Sequence, residues 1–227
     1  MKLQLQNGIK MAKHTLNFLS IFISISLFTL PCYSHHPLMG ENMVTFNHGI
    51  LSGIGHPILG FDHLIFIIGL GILSILVGKA LIGSLAFIIG TFLGILLITF
   101  GLNFPLTELM VCFSLIFIGA YIFSGKTFNN TFFISLLSFL GLFHGLAFGD
   151  PLITNDGLNA SVVYGYLIGL FFTIGAISLI AGRLFVFFTK EIDLNSEVVK
   201  ISGGVVAGSG TILVLENLEG MLFAAIF

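Results

Sequence analysis

Two islands of chemistry interrupt a chain made mostly of Leu, Ile, Phe and Gly. The first is His56-Pro57-Ile58-Leu59-Gly60-Phe61-Asp62-His63, and the second is Phe143-His144-Gly145-Leu146-Ala147-Phe148-Gly149-Asp150. Each lies at one end of a long apolar run. A third run, opening near Pro105, carries Glu108 close to its start. Ionisable side chains at membrane depth are costly and are kept there for function. Imidazole suits nickel, cobalt, copper and zinc, whereas sites built from carboxylate alone suit magnesium and calcium. The residue types therefore point to a divalent transition-metal ion.

The elements that must hold these residues follow from composition. The chain of 227 residues is 56% hydrophobic and 8% charged. Soluble domains carry about a quarter charged residues, so this is an integral membrane protein. Runs that reach the ~20 mostly apolar residues of a membrane helix fall at 57–78, 80–101, 105–124, 131–150, 160–187 and 199–219. Short connections such as Gly101-Leu102-Asn103-Phe104-Pro105 make neighbours antiparallel, and no run alternates like a barrel strand. The expected fold is all-α, a polytopic membrane bundle of six transmembrane helices spanning 57–220. Glycines four apart (Gly90 and Gly94; Gly141, Gly145 and Gly149; Gly165 and Gly169; Gly204 and Gly208) are expected to let helix backbones approach.

Residues 1–34 read as a signal peptide. Lys2, Lys10 and Lys13 precede an apolar stretch from Leu16 to Leu30, and Cys32 and Ser34 place small residues before a cut after Ser34. An uncleaved signal-anchor helix is the alternative, and the small residues favour cleavage. Residues 35–56 then form a periplasmic N-terminal segment. Cutting there gives His35 a free amine beside its imidazole, a bidentate pair for one ion, with His36 next to it. That tail is either a capture site or a solvated end. Cys112 is left alone in the mature chain, so neither a disulfide nor a Cys-x-x-Cys site is available.

A periplasmic N-terminus makes the odd spans run inward. Lys79, Lys126, Arg183, Lys190 and Lys200 then all fall at the inner side, as the positive-inside rule requires. The expected location is a bacterial-type inner membrane. The same orientation gathers His56, Asp62, His63, Glu108 and His144 in the outer half of the bundle. His56 and His63 are two turns apart, ~10.5 Å along a straight helix, against a metal–imidazole bond of ~2 Å. Pro57 suits a first helical position. Either His56 folds inward at Gly55 and Gly60 to join His63, or the two act in sequence as capture and translocation sites. Asp62 is placed to bind the ion or to orient a histidine.

These motifs resemble a known family. His56 through Asp62-His63 is similar to the HX5DH motif of the HupE/UreJ nickel/cobalt permeases, and Phe143-His144-Gly145-Leu146-Ala147 to the start of their FHGxA motif. Glu108 sits where that family has an acid in its third helix, and the likeness extends across the mature chain. The resemblance implies that His56, Asp62, His63, Glu108 and His144 are transport residues. One departure stands out: the second motif of the family often continues with His-Gly-x-Glu, and here Phe148 replaces the imidazole and Pro151 the acid.

The expected function is secondary import of nickel, with cobalt as a second cargo, through a His/Asp/Glu site and with no resident cofactor. Nothing in this reading is enzymatic. No phosphate-binding G-x-x-x-x-G-K-[ST] loop occurs, so ATP hydrolysis would need another chain. The rival reading is a membrane metal- or haem-binding protein, an intramembrane metalloenzyme or electron carrier. His-Glu-x-x-His and Cys-x-x-Cys-His are both missing, which leaves a noncovalent haem between His63 and His144. A protein that binds metal without moving it is a third class. The implied partners are a divalent metal ion and the lipid bilayer. Basic residues are too few and too dispersed for nucleic acid, and assembly as a homo-oligomer is left open.

Overall fold

With no water in the hydrocarbon core, each apolar run must satisfy its backbone internally, and the helix does so within one segment. A computed structural model describes residues 42–153 and 159–226. Among these residues are seven helices and no strand: α1 (Phe46–Leu59), α2 (Phe61–Leu76), α3 (Ala80–Thr99), α4 (Thr107–Ser124), α5 (Asn130–Ile153), α6 (Ala160–Thr189) and α7 (Glu197–Ile226). Five of them, α3 to α7, are long and apolar enough to cross a membrane singly, and α1 with α2 make a sixth span if the bent pair counts as one. The expected all-α bundle is what forms. The signal peptide, its cut after Ser34, and the pair His35 and His36 lie outside the described residues.

The first span departs from the straight helix expected over 57–78. α1 starts eleven residues earlier, at Phe46, where the Thr45 hydroxyl accepts from His48 N at 3.2 Å and caps the first turn. Pro57 therefore lies inside the last turn of α1 rather than at a helix start. Its ring removes one helical N–H and crowds the carbonyl four residues back. At Gly60 the backbone turns extended (φ −73°, ψ 102°), and α2 leaves at 79° to α1. Gly60 serves both helices. Its N–H closes α1 on the His56 carbonyl at 3.0 Å, and its carbonyl opens α2 by accepting from Leu64 N at 2.8 Å.

Glycine sets which helices touch. Along the α1–α6 seam, a Cβ on Gly49 or Gly53 would strike the Val162 or Tyr166 carbonyl, and one on Gly165 or Gly169 the Phe46 or Ile50 carbonyl. The α3–α5 seam works the same way, with Gly90 against Ser138, Gly94 against Leu142, Gly141 against Phe87 and Gly145 against Thr91. Such backbone contact is the usual solution for helices that gain no hydrophobic energy from associating in lipid. On α7 the expected pair is corrected. Gly204 meets only the Phe123 ring and Gly208 meets nothing within 4 Å, while Gly203 and Gly210 are the glycines that press on the α4 backbone. The spacing of seven follows α4 over two turns, so the contact face is a different one.

The connections carrying Lys79 and Lys126 and the one running from Lys190 to Ser196 lie at the same end of the antiparallel bundle, with Lys200 in the first turn of α7. Gly125, the left-handed C-cap of α4 at φ 65°, meets the Asn195 side chain of the α6–α7 connection there. The two histidine islands occupy the opposite half.

Candidate metal site

The bend at Gly60 brings together what a straight helix would hold apart. The rings of His56 and His63 have centroids 5.5 Å apart, and those of His63 and His144 are 5.2 Å apart. An ion ~2 Å from each imidazole nitrogen holds two ring centroids roughly 5 Å apart. The spacing suits shared ligation; the orientation does not. Both pairs meet edge to face at 72°, and no three His, Cys, Asp or Glu side chains among the described residues converge on one ion. Closing a ligand set here requires the rings to rotate. Of the two arrangements left open for His56, the geometry is the one that folds inward.

Each imidazole comes from a different helix. His56 is half-buried in the last turn of α1, His63 is 2% exposed in the first turn of α2, and His144 is fully buried on α5. The α3–α5 glycine seam fixes the last of these. With Gly141 and Gly145 flush against α3, the His144 ring packs edge-on against both Phe66 and Phe87, at centroid distances of 4.2 and 5.0 Å, and those two rings also touch each other. At the bend there is equally little room: a Cβ on Gly60 would lie 2.6 Å from His63 Cδ2. His63 and His144 touch directly, which leaves no slot for a porphyrin plane between them.

Phe148 stands in the middle of the series. Fully buried, its ring lies 5.0 Å from His56, 4.4 Å from His63 and 6.2 Å from His144. The place that the resembling motif gives to an imidazole is thus filled by an apolar ring among three imidazoles. It supplies shape and excludes water, and it cannot ligate.

Two of the acids, Glu108 and Asp150, form a second tier. Asp62 and Asp150 act electrostatically on Glu108, which is exposed in the first turn of α4. Glu108 precedes Ser114 on α4 by six residues, and Asp150 follows His144 on α5 by six, so each acid lies ~9 Å along its helix from the imidazole level. Ser114 and His144 are neighbours across the two helices. Of the acids and imidazoles expected at one depth, Glu108 therefore sits apart, at the level of Asp150, while Asp62 stays beside His63. Asp62 also acts on its own helix. Its Oδ1 accepts from His63 N at 2.8 Å, satisfying a donor that the broken helix leaves without a carbonyl.

Two polar residues were not among the expected ones. Tyr166 on α6 is fully buried. Its hydroxyl donates to the Phe148 carbonyl at 2.6 Å and lies 2.9 Å from His56 Nδ1. Ser114, also fully buried, donates to the Val111 carbonyl at 2.5 Å and lies 3.4 Å from His144 Nε2. A tyrosine or serine in mid-span needs a partner for its hydroxyl, which is the sequence signal that marks both.

A family model described as HupE / UreJ protein matches residues 21–213. The chain belongs to the HupE/UreJ family. The match takes in both histidine islands and Glu108, and six of the seven described helices lie wholly within it. No curated protein and no solved structure matches the chain. This HupE/UreJ member thus combines the bend at Gly60, the imidazole series and the buried Phe148.

Proposed function

We propose that this HupE/UreJ protein is a secondary permease that imports Ni²⁺, with Co²⁺ as a second cargo, from the periplasm to the cytoplasm of a bacterial-type inner membrane. The family is associated with nickel and cobalt transport. The observation that carries the reading is the row of three imidazoles from α1, α2 and α5, packed inside the bundle beneath a tier of carboxylates. Carboxylates at the mouth attract a divalent cation by charge. Imidazoles below them replace its hydration shell with nitrogen ligands that favour nickel over magnesium or calcium. His56, Asp62, His63, Glu108 and His144 are the proposed pathway, and His35 and His36 a proposed capture pair ahead of it. A bound metal that stays put would serve an enzyme; a broken helix at membrane depth is the device that transporters use around a moving ion.

Uptake of radioactive nickel into cells expressing the chain should be saturable and should be competed by Co²⁺ but not by Mg²⁺. Accumulation no greater than in cells lacking the chain would overturn the permease reading. Orientation is tested separately with single cysteines in a Cys112→Ser background. A membrane-impermeant thiol reagent should label Asn103→Cys from the periplasm and leave Lys126→Cys untouched until the membrane is opened. Outside labelling at 126 would reverse the orientation.

A further inference from the structure

The hydroxyls of Tyr166 and Ser114 share a geometry that decides the tautomers of two histidines. Each hydroxyl has one proton. Each lies close to a main-chain carbonyl, which only accepts, and to an imidazole nitrogen, which either donates or accepts. Tyr166 Oη is 2.6 Å from the Phe148 carbonyl and 2.9 Å from His56 Nδ1. If its proton pointed at His56, two lone-pair-bearing oxygens would face each other at 2.6 Å with nothing between them. The arrangement that satisfies both contacts sends the tyrosine proton to Phe148 and draws a proton from His56 Nδ1. Neutral imidazole carries one N–H, so the lone pair of His56 is then on Nε2.

Ser114 repeats the arrangement with the opposite nitrogen. Its Oγ is 2.5 Å from the Val111 carbonyl and 3.4 Å from His144 Nε2. By the same exclusion the serine donates to Val111 and accepts, over a long contact, from His144 Nε2–H. The lone pair of His144 is then on Nδ1. That atom is buried and has no hydrogen-bond partner among the described residues. A buried acceptor left unpaired is destabilising, a penalty that a ligand at that atom removes.

We propose that Tyr166 and Ser114 are positioning residues that lock His56 as its Nδ1–H form and His144 as its Nε2–H form, so that His56 Nε2 and His144 Nδ1 are the atoms that meet the metal. This rests on the reading of both histidines as cargo ligands. It goes beyond that reading by adding two residues, one hydroxyl for each imidazole, and by assigning the ligating atom of each ring. Outer-shell partners of this kind set the tautomer and aim of a metal-binding imidazole. The two nitrogens differ in reach from the backbone, so the choice also fixes how far each ring must turn to share an ion with His63.

The test is nitrogen NMR of the full chain, labelled at histidine and purified in detergent without nickel. Signals are assigned by their loss in His56→Gln and His144→Gln. The parent should show His56 protonated at Nδ1, the minority tautomer of free imidazole, and His144 protonated at Nε2. Tyr166→Phe should shift His56 toward the Nε2–H form while leaving His144 unchanged, and should weaken nickel binding roughly 10- to 100-fold. A parent spectrum with His56 protonated at Nε2 overturns the proposal, and it does so without any variant having to fold. Unchanged nickel affinity in folded Tyr166→Phe overturns the positioning role. Because the tautomer is read with no metal present, a failed uptake assay counts against the permease alone.

Discussion

Replacing His63 with alanine should abolish saturable nickel uptake, lowering its efficiency at least ~100-fold, the upper end of the effect of removing even an outer-shell partner. His63 is the middle ring of the series, 5.5 Å from His56 and 5.2 Å from His144. Without it the other two imidazoles have no shared neighbour through which an ion can pass. The side chain is 2% exposed, so truncation leaves a cavity as well as removing a ligand. His63→Gln fills most of that space, and it should be equally inactive while eluting as a single species in detergent. Raising the nickel concentration should not restore either variant, because the pathway itself lacks a ligand. The paired change His35→Ala and His36→Ala should behave oppositely, failing at scarce nickel and recovering at high nickel. Near-normal uptake by His63→Gln would remove the imidazole series from the mechanism.

Gly145→Leu should destabilise the bundle rather than impair transport alone. A Cβ at this position would fall on the Thr91 carbonyl and within 2.9 Å of Gly94 Cα. Both obstacles are backbone, so no rotamer relieves them, and α3 and α5 must separate. Forcing extra volume into a packed contact costs about 1–3 kcal/mol and occasionally more, and this site belongs at the top of that range. For a chain of this size such a loss corresponds to a fall of roughly 6–12 °C in melting temperature. The seam also holds the neighbouring His144 against Phe66 and Phe87, so any protein that does fold should bind nickel poorly. Gly208→Ala is the matched control, since nothing lies within 4 Å of its added Cβ. Equal thermal stability of Gly145→Leu and Gly208→Ala would show that the α3–α5 contact is not what holds the bundle.

Much of this was legible from residue types alone, for a physical reason. A run of apolar residues long enough to cross the hydrocarbon core has few structures open to it, so helix number and direction follow from length and hydropathy. Spans two to six were placed within a few residues at most ends, although α7 runs on well past 219. The glycine pairs on α3, α5 and α6 marked their seams because only a missing side chain permits backbone contact. The α7 pair misled because a four-residue spacing names a face of the helix without naming the helix that meets it.

The sequence by itself determined that this is a helical membrane protein, that the acids and histidines of its two motif islands gather in one half of the bundle, and that imidazole and carboxylate are the chemistry on offer. It also determined family membership, through motifs that place His56, Asp62, His63 and His144 at set intervals. Only the tertiary structure decided that His56 joins His63, because the 79° turn at Gly60 depends on how α1 packs along α6, a contact between residues more than a hundred positions apart. It likewise set Glu108 and Asp150 apart from the imidazoles, left Asp62 beside His63, and put the Phe148 ring among three histidines. Tyr166 and Ser114 entered for the same reason. A hydroxyl in an apolar run announces that it needs a partner, but which nitrogen it meets is set by helices that sequence spacing does not relate.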